Sequence, residues 1–414
     1  MHAIHSIHRA ALNCAAIVIL AANVCRAAET FEKIDLFVAG QGGYAYYHIP
    51  GVAVTARGTV LAWCEARKAG GDWTAIDILL RRSTDDGRTF SEPTKFPEVA
   101  GPKTKNAAAL RLKNVRAEDV TYNNPVLIPD RDGTLHGLFC LEYMRAFYIR
   151  STDDGVTWST PVEITGAFEK FRSVYDWTVL ATGPDHGIQL RTGRLIVPIW
   201  LSTGTGGGAH RPSVTATIYS DDQGRTWQAG DIAVPCTDEW INPNETVAIE
   251  LADGRVMLNV RSESKAQRRL VTISPDGATG WSTPKFDEPL VEPICMGSIV
   301  RLSTTATSDK NRMLFSNPDN LSRADGKEEP GKNRDRKNMS VKLSYDEATT
   351  WPVSRVVEPG WSAYSDIAVS KQGTILCFYG RAERSNFAGD RLTLARFNLE
   401  WLTQGADHLP AAKP

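Results

Sequence analysis

An eight-residue pattern, Ser-x-Asp-x-Gly-x-Thr followed by an aromatic residue, recurs along this chain and restricts the folds that it can adopt. The Asp and Thr side chains of such a segment can bond to backbone groups within one turn, and the aromatic ring can pack on the next layer. Three copies keep the pattern and two carry alanine at the glycine position; they occupy 83–90, 151–158, 220–227, 274–281 and 344–351. A recurring turn of this kind indicates several similar structural units in succession.

A second repeat, a tight turn between two short apolar runs, has the same phase as the first. The flanking runs, such as 60–64 and 195–200, are short and have the composition of β-strands. Glycine and asparagine tolerate the positive φ that two-residue hairpin loops require. The turns are Arg57-Gly58, Asp132-Gly133, Thr192-Gly193, Asp253-Gly254, Lys310-Asn311 and Gln372-Gly373.

Six successive hairpin units of about 60 residues predict an all-β fold, a six-bladed β-propeller with one small sheet per blade. A small sheet cannot bury a face by itself, and radial stacking against its neighbours provides the missing contact. We expect one domain over residues 28–414, with a terminal strand near 391–397 that closes the ring against the first blade. Two stacked β-sandwiches are the alternative, but they do not explain the even period.

The first 27 residues have the features of a secretory signal peptide. Arg9 precedes an apolar run over 10–24, and small residues stand before a cut after Ala27. A buried N-terminal helix is the alternative interpretation. No other apolar stretch approaches the roughly 18 residues that a transmembrane helix needs. We therefore expect a secreted or periplasmic protein without a transmembrane segment.

The charge balance argues against a polyanionic partner. Lysine and arginine number 47, aspartate and glutamate number 48, and the net charge is −1. Without a basic field, the chain has no electrostatic basis for binding nucleic acid or an anionic membrane surface. We expect a monomer that does not bind nucleic acid.

The cysteines indicate neither a disulfide scaffold nor a metal site. A cut after Ala27 leaves five of them, far apart and without a CxxC motif: Cys64, Cys140, Cys236, Cys295 and Cys377. Cys64, Cys140 and Cys377 lie in apolar runs, where cysteine behaves as a small buried hydrophobic residue. We expect no metal and no other cofactor, and an odd count leaves at least one thiol free or paired between chains.

The eight-residue repeats resemble the Asp boxes of the sialidase superfamily, and the resemblance extends over nearly the whole mature chain. Asp boxes also occur in propellers without glycosidase activity, so further stretches matter. Residues 183–190 are similar to the signature of the family's third blade, Asn124-Pro125 to its Asn-Pro element, and 314–318 to its Phe-Ser-Asn-Pro run. The resemblance implies a retaining exo-α-sialidase, of the bacterial and animal type, that releases terminal sialic acid from glycoconjugates.

Sialidase chemistry explains why the resemblance implies an unusual nucleophile. The substrate has a carboxylate on its anomeric carbon, and an aspartate or glutamate nucleophile would face that like charge. A tyrosine is neutral until a neighbouring carboxylate takes its proton. The resemblance implies that Tyr364 is the nucleophile, that Glu245 activates it, and that Asp72 is the acid/base for the leaving group.

The substrate carboxylate calls for guanidinium groups, which bind carboxylates with two parallel hydrogen bonds. The resemblance implies this role for Arg261 and Arg336, the second and third arginines of the family's triad, with Arg334 as an alternative to Arg336. Glu65 and Arg67 keep the family's Glu-x-Arg pattern and are expected among the substrate-binding residues. Glu65 could hold either Arg67 or the residue that replaces the first arginine.

That replacement is the main departure from the family. His48 stands in Tyr47-His48-Ile49-Pro50, where the family has arginine, and Gly380 stands where the family usually has the glutamate that holds it. Histidine is shorter and is charged only part of the time near neutral pH. A hydrolase of a related acidic 2-keto sugar glycoside, with His48 in its substrate-binding site, is therefore the first alternative. A non-catalytic carbohydrate-binding propeller and a structural scaffold are others, and neither needs the predicted acid, base and nucleophile together.

Overall fold

The computed structural model describes residues 28–96, 98–383 and 389–410. The predicted signal peptide, 1–27, lies outside the described residues and stays a prediction. Within the described ranges, no helix has both the length and the apolar character needed to cross a membrane. Helical structure there comprises three 3-10 segments, Ala109–Arg111, Thr165–Ser173 and Gly207–Ala209, and one short α-helix, α1 (Leu399–Thr403).

The remaining regular structure is β-strand. The first thirteen strands are β1 (Phe31–Val38), β2 (Tyr46–Val54), β3 (Val60–Arg67), β4 (Ile76–Ser83), β5 (Thr94–Lys95), β6 (Tyr122–Pro129), β7 (Leu135–Leu141), β8 (Arg145–Ser151), β9 (Val162–Glu163), β10 (Val179–Thr182), β11 (Asp185–His186), β12 (Ile188–Gln189) and β13 (Leu195–Ser202). The others are β14 (Ser213–Ser220), β15 (Gln228–Val234), β16 (Thr246–Glu250), β17 (Val256–Val260), β18 (Arg268–Ser274), β19 (Lys285–Val291), β20 (Ser298–Ser303), β21 (Arg312–Pro318), β22 (Lys337–Ser344), β23 (Val353–Val369), β24 (Ile375–Ala382) and β25 (Arg391–Phe397).

These strands form five hydrogen-bonded sheets, each built mainly from strands that follow one another along the chain. Their strand orders are β2-β3-β4-β5, β11-β6-β7-β8-β9, β10-β13-β14-β15 with β12 beside β13, β16-β17-β18-β19, and β1-β25-β24-β23-β22-β21-β20. Neighbours are antiparallel except β11 and β6, which are parallel. The chain therefore has an all-β, propeller-like fold, as the sequence predicts.

The seven-stranded sheet contains both ends of the described chain. Strand β25 has the predicted position and pairs with β24 and with β1, from Phe31 opposite Phe397 to Val38 opposite Arg391. Its Leu392 and Leu394 pack in one apolar cluster with side chains of the β2-β3-β4-β5 sheet. Because β1 lies antiparallel to β25, their pairing holds the two chain ends together.

The predicted turns join paired antiparallel strands. Between β2 and β3, Val54 pairs with Val60 and Gly58 has a φ of +94°, a value that favours glycine. The eight-residue segments share a hydrogen-bond pattern: the hydroxyl of Ser83 accepts the N–H of Gly87 at 2.9 Å, and Asp85 accepts the N–H of Thr89 at 2.9 Å. The segments that begin at residues 151 and 220 repeat both bonds.

The core consists of apolar side chains between neighbouring sheets. One cluster joins side chains of β6, β7 and β8, such as Val126 and Leu138, to side chains of β13 and β14, such as Val197 and Ile218. Cys64, Cys140 and Cys377 are buried, as their apolar surroundings predict, and the five cysteines of the described residues are free thiols. The apolar side chains fill the space between the sheets, and cavities are found at the ends of strands such as β2 and β16.

Candidate active site

A cavity of about 150 Å³ lies where several inner strands and their loops meet. Six of the eight predicted site residues line it: His48, Arg67, Asp72, Glu245, Arg261 and Tyr364. A larger cavity of about 410 Å³ is lined by the opposite ends of β2, β16 and β23, including Val54, Leu251 and Val369. Its lining is mostly apolar and includes none of the predicted site residues, so the chemistry belongs to the smaller cavity.

Tyr364, Glu245 and Arg261 form a hydrogen-bonded triad in this cavity. The phenol oxygen of Tyr364 donates to Glu245 Oε1 at 2.7 Å and accepts from Arg261 Nη1 at 2.6 Å. Arg261 Nη1 also pairs with Glu245 Oε2. The contact between Glu245 and Arg261 follows from the local structure. Glu245 precedes β16 and Arg261 follows its antiparallel partner β17, so the two residues are neighbours, and the Arg261 N–H donates to the Glu245 carbonyl at 3.0 Å.

Burial sets the protonation of the tyrosine. It raises the pKa of Tyr364 well above its usual value; Arg261 and Arg336 oppose this shift and Glu245 adds to it. The phenol is therefore neutral in the resting site, and its proton already lies in a hydrogen bond to a carboxylate. This is the arrangement that an activated tyrosine nucleophile requires.

Two arginines flank the phenol ring. The guanidinium carbon of Arg261 lies 5.7 Å from the ring centre of Tyr364 and that of Arg336 lies 5.5 Å from it. Arg334, the alternative to Arg336, turns away and donates to backbone carbonyls of its own loop. Within the described residues, Nε of Arg261 is buried and has no hydrogen-bond acceptor. Of the two candidates for the third arginine, Arg334 and Arg336, it is therefore Arg336 that faces Tyr364.

Arg67 connects the predicted acid to a buried carboxylate. Its Nη1 donates to Asp72 Oδ1 at 2.8 Å, while its Nε and Nη2 donate to Glu65 Oε2 at 2.9 and 2.6 Å. The other oxygen of Glu65 accepts the backbone N–H of Asn124 at 2.9 Å. The side chain of Glu65 is 0% exposed and lies beneath Arg67. Of the two residues that the sequence allowed it to hold, Glu65 holds Arg67 and fixes the direction of its guanidinium group.

Asp72 is the most exposed member of the predicted catalytic set, with 48% of its side chain accessible. Burial of part of the group would raise its pKa, but Arg67 and then His210 outweigh that effect and hold the pKa of Asp72 below its usual value. Asp72 is therefore a carboxylate at neutral pH. Negative charge on a bound ligand would raise this pKa and favour the protonated acid.

His48 lies beside Tyr364 in the cavity. Its ring centre is 4.5 Å from that of Tyr364, and its side chain is buried. Although His48 is opposite Glu65 in the β2–β3 register, that carboxylate is bound to Arg67. Burial, and next the charge of Arg67, hold the pKa of His48 well below its usual value. The cavity thus has a neutral imidazole at this position.

Known proteins are similar in sequence to most of this chain. A match to the BNR repeat-like domain family extends over residues 103–377, more than half of the chain. A sialidase of Micromonospora viridifaciens is 31% identical over 400 residues, which cover 90% of this chain and 54% of that protein. A sialidase of Bacteroides fragilis is 28% identical over 330 residues, which cover 76% of this chain and 55% of that protein. The chain belongs to the sialidase superfamily.

A solved structure has the same fold. The solved structure of Hadza microbial sialidase Hz136 superimposes with a TM-score of 0.70 at 23% identity, covering 89% of this chain and 69% of that one. At this identity the likeness concerns the fold. The present member of the superfamily spans only a little over half the length of the two sialidases named above.

Sequence reasoning missed one wall of the cavity of this sialidase-superfamily chain. His210, Trp200 and Tyr143 line it beside Asp72, and Trp73 packs behind them. The only sequence signal was a histidine after a glycine-rich run, 204–208, which does not indicate where the loop lies. Within the described ranges, no group of three or more His, Cys, Asp or Glu side chains is arranged to hold a metal ion.

Proposed function

We propose that this protein is a retaining exo-α-sialidase, a glycoside hydrolase that releases terminal sialic acid from glycoconjugates. The observation that carries the proposal is the hydrogen bond from Tyr364 to Glu245 in a cavity shared with Arg261 and Asp72. The sialidases among its relatives support it. A lectin or a scaffold needs neither a carboxylate hydrogen-bonded to a buried phenol nor a separate acid.

The first step forms a glycosyl-enzyme bond. The Tyr364 oxygen attacks the anomeric carbon while its proton passes to Glu245 Oε1. The glycosidic C–O bond breaks, its electron pair stays on the leaving oxygen, and that oxygen takes a proton from Asp72. The neutral phenol reaches an anomeric carbon that has a carboxylate substituent without charge repulsion.

The second step reverses these roles. Water attacks the anomeric carbon on the side that the leaving group vacated, and Asp72 takes its proton. The bond to Tyr364 breaks, and the phenolate oxygen recovers the proton from Glu245. Two displacements at one carbon retain its configuration.

Arg261 and Arg336 bind the carboxylate of the sugar in this proposal. The buried Nε of Arg261, without an acceptor in the described structure, supplies an available donor. A neutral His48 offers at most a hydrogen bond where the family has a third guanidinium. Loss of one charge-assisted bond costs about 1.5–3 kcal/mol, so ordinary sialosides should bind more weakly than a full arginine triad would allow.

The same neutral imidazole favours one second candidate. In a hydrolase of a related acidic 2-keto sugar glycoside, a differently oriented carboxylate would need two guanidinium groups and a neutral donor or acceptor. Arg261, Arg336 and His48 provide that set around Tyr364. A panel of aryl glycosides of such sugars, compared by kcat/KM with the aryl sialoside, separates the two candidates.

We infer that the propeller has six blades, with the repeated eight-residue turns as Asp boxes. The 17-residue strand β23 supports this count, because its first part pairs with β22 and its last part, from Trp361 to Val369, pairs with β24. One strand can thus serve as the outer strand of one blade and the inner strand of the next. We further propose a secreted or periplasmic monomer from which residues 1–27 have been removed.

The test of this function uses an aryl α-sialoside with the mature protein. We expect release of sialic acid, with the α-anomer appearing first in a proton NMR time course. Tyr364→Phe should abolish turnover without changing the melting temperature. Tyr219→Phe is the matched control, because Tyr219 bonds Gln228 outside the cavity and should keep full activity. Absence of sialic acid release by the wild-type protein, or the β-anomer as first product, contradicts the proposal.

A further inference from the structure

A histidine outside the predicted set faces the acid/base. His210 Nδ1 lies 3.9 Å from Asp72 Oδ2, the oxygen of Asp72 that Arg67 does not bind. That distance is too long for a hydrogen bond, and catalytic hydrogen bonds often shorten when substrate binds. Only 18% of the His210 side chain is exposed.

The loop that carries His210 is anchored on both sides. Trp73 Nε1 donates to the carbonyl of Gly208 at 2.9 Å, and Arg211 Nε donates to Glu263 Oε1 at 2.8 Å. These bonds leave the imidazole between fixed neighbours rather than at a free loop tip. The position of His210 relative to Asp72 is therefore built into the fold.

Three aromatic rings enclose the imidazole. The ring centre of His210 lies 4.9 Å from that of Tyr143, 5.2 Å from that of Trp200 and 5.4 Å from that of Trp73. Its Nε2 is buried and has no hydrogen-bond partner within the described residues. Buried polar groups of proteins usually have a partner. Packing among the rings explains the position of the imidazole. It does not explain why a polar side chain is buried here, with Nδ1 3.9 Å from Asp72 Oδ2.

We propose that His210 is a positioning residue of the acid/base, and that His210 Nδ1 and Asp72 Oδ2 share the proton that goes to the leaving group. The inference rests on the proposed sialidase function. With Asp72 Oδ1 bound to Arg67, Oδ2 is the oxygen left to hold a proton. A proton added to the pair resides on either partner, as carboxyl and imidazole or as carboxylate and imidazolium.

The proton balance of the reaction is simple. In the first step the shared proton moves to the leaving oxygen as the glycosidic bond breaks, and the pair becomes carboxylate and neutral imidazole. In the second step the attacking water returns one proton to the pair. No other group gains or loses a proton except Tyr364 and Glu245, which exchange theirs.

The charges around the pair determine its pH dependence. Burial lowers the pKa of His210, Asp72 opposes this shift, and Arg211 adds to it. The charged and titratable groups around the two partners are Arg67, His48, Tyr143, Arg211, Glu245 and Arg261. Since the pair holds its proton only below the pKa of the pair, cleavage of poor leaving groups should decline as the pH rises. Without the imidazole, the carboxyl of Asp72 must hold the proton by itself beside Arg67, so the decline should begin at lower pH.

The kinetic test compares His210→Gln and His210→Phe with wild type on two sialosides. The phenylalanine keeps an aromatic ring in the enclosure, and His408→Gln is the control at an exposed histidine. For sialyllactose, we expect both variants to lose about tenfold or more in kcat/KM and to shift the alkaline limb to lower pH. An aryl sialoside with a good leaving group should lose less than about threefold. An unshifted pH profile, or equal losses on both substrates, overturns the proposal.

A second measurement does not depend on turnover. The imidazole of His210 is titrated by NMR in the wild-type protein and in Asp72→Asn. Because the amide removes a negative charge beside the ring, the titration of His210 should move to lower pH. An unchanged titration overturns the pairing even where no sialoside is cleaved. Absence of cleavage with a shifted titration contradicts only the sialidase proposal.

Discussion

The phenol of Tyr364 donates a 2.7 Å hydrogen bond to Glu245 although the two residues are 119 positions apart in the chain. Tyr364 lies on β23 of the seven-stranded sheet, and Glu245 immediately precedes β16 of another sheet. The contact therefore exists only because the inner strands of different sheets end at one cavity. The site therefore depends on the complete fold.

Asp72→Ala tests the acid. Because Asp72 protonates the leaving oxygen, its loss should lower kcat/KM for sialyllactose about a hundredfold or more. An aryl sialoside, whose leaving group needs little protonation, should lose far less. The measurement is the ratio of the two kcat/KM values in variant and wild type. An equal loss on both substrates would exclude Asp72 as the acid.

Glu65→Gln tests the buried ion pair. The side chains of Glu65 and Arg67 are 0% and 3% exposed, so the glutamine removes the buried counter-charge of Arg67 and leaves it only the more exposed carboxylate of Asp72. Breaking such a pair costs about 3–5 kcal/mol of the free energy of unfolding, measured by urea denaturation. Glu118→Gln, which breaks an exposed pair with Arg116, is the control and should leave the midpoint unchanged. A Glu65→Gln midpoint equal to that of wild type would contradict the account.

Asp185→Asn tests an uncompensated buried acid. Asp185 is 0% exposed, and neither carboxyl oxygen has a hydrogen-bond partner within the described residues. Burial, and next the charge of Asp366, raise the pKa of Asp185 well above its usual value. Its protonated form is thus favoured by folding, and the free energy of unfolding should fall as pH rises from the unfolded pKa toward the folded one.

The asparagine removes this pH-dependent loss. We expect Asp185→Asn to raise the melting temperature, and to raise it more at pH 8 than at pH 5, with about 1.4 kcal/mol for each unit of pKa difference that it removes. Asp238→Asn, at an exposed position, should have no effect. A lower melting temperature at both pH values would mean that the carboxyl of Asp185 makes a necessary contact.

His48→Arg and Gly380→Glu test the departure from the arginine triad. Gly380 pairs with Leu392, and its strand β24 faces the irregular part of β23 between Ser362 and Ser365 that contains Tyr364. The arginine alone should help little because Glu65 already binds Arg67. The glutamate alone should lower kcat/KM because it adds a buried negative charge.

Together, the two substitutions should raise kcat/KM for an aryl sialoside beyond the sum of their single effects, measured as a double-mutant cycle. Additive effects would mean that the two positions do not interact. A double variant weaker than a wild type that is fully active on sialosides would favour the related acidic sugar as substrate.

Local patterns made much of the fold and site predictable. The turns and eight-residue repeats are contacts between residues close in sequence, so their spacing indicated a propeller-like fold. The predicted Asp72, Glu245 and Tyr364 line one cavity, and Arg336 rather than Arg334 faces Tyr364. These residues were predictable because the motifs around them resemble those of the sialidase superfamily.

Other features depend on packing over long separations, which spacing cannot indicate. The sequence allowed Glu65 to hold either His48 or Arg67, and the structure shows that it binds Arg67. The partner of β25 follows from where β1 turns, and the approach of His210 to Asp72 follows from how its loop is anchored. In each case the decisive neighbour is distant in sequence.

Covalent trapping of the nucleophile tests the central claim most directly. The mature protein is incubated with a 2,3-difluorinated sialic acid, in which the fluorine on the anomeric carbon leaves as fluoride when the adduct forms and the fluorine on the neighbouring carbon slows the second step. The protein is then analysed by intact and peptide mass spectrometry. We predict one sialosyl adduct, located on the peptide that contains Tyr364 and absent from Tyr364→Phe. Failure of the active wild-type protein to form an adduct, or an adduct on a residue other than Tyr364, would contradict the account.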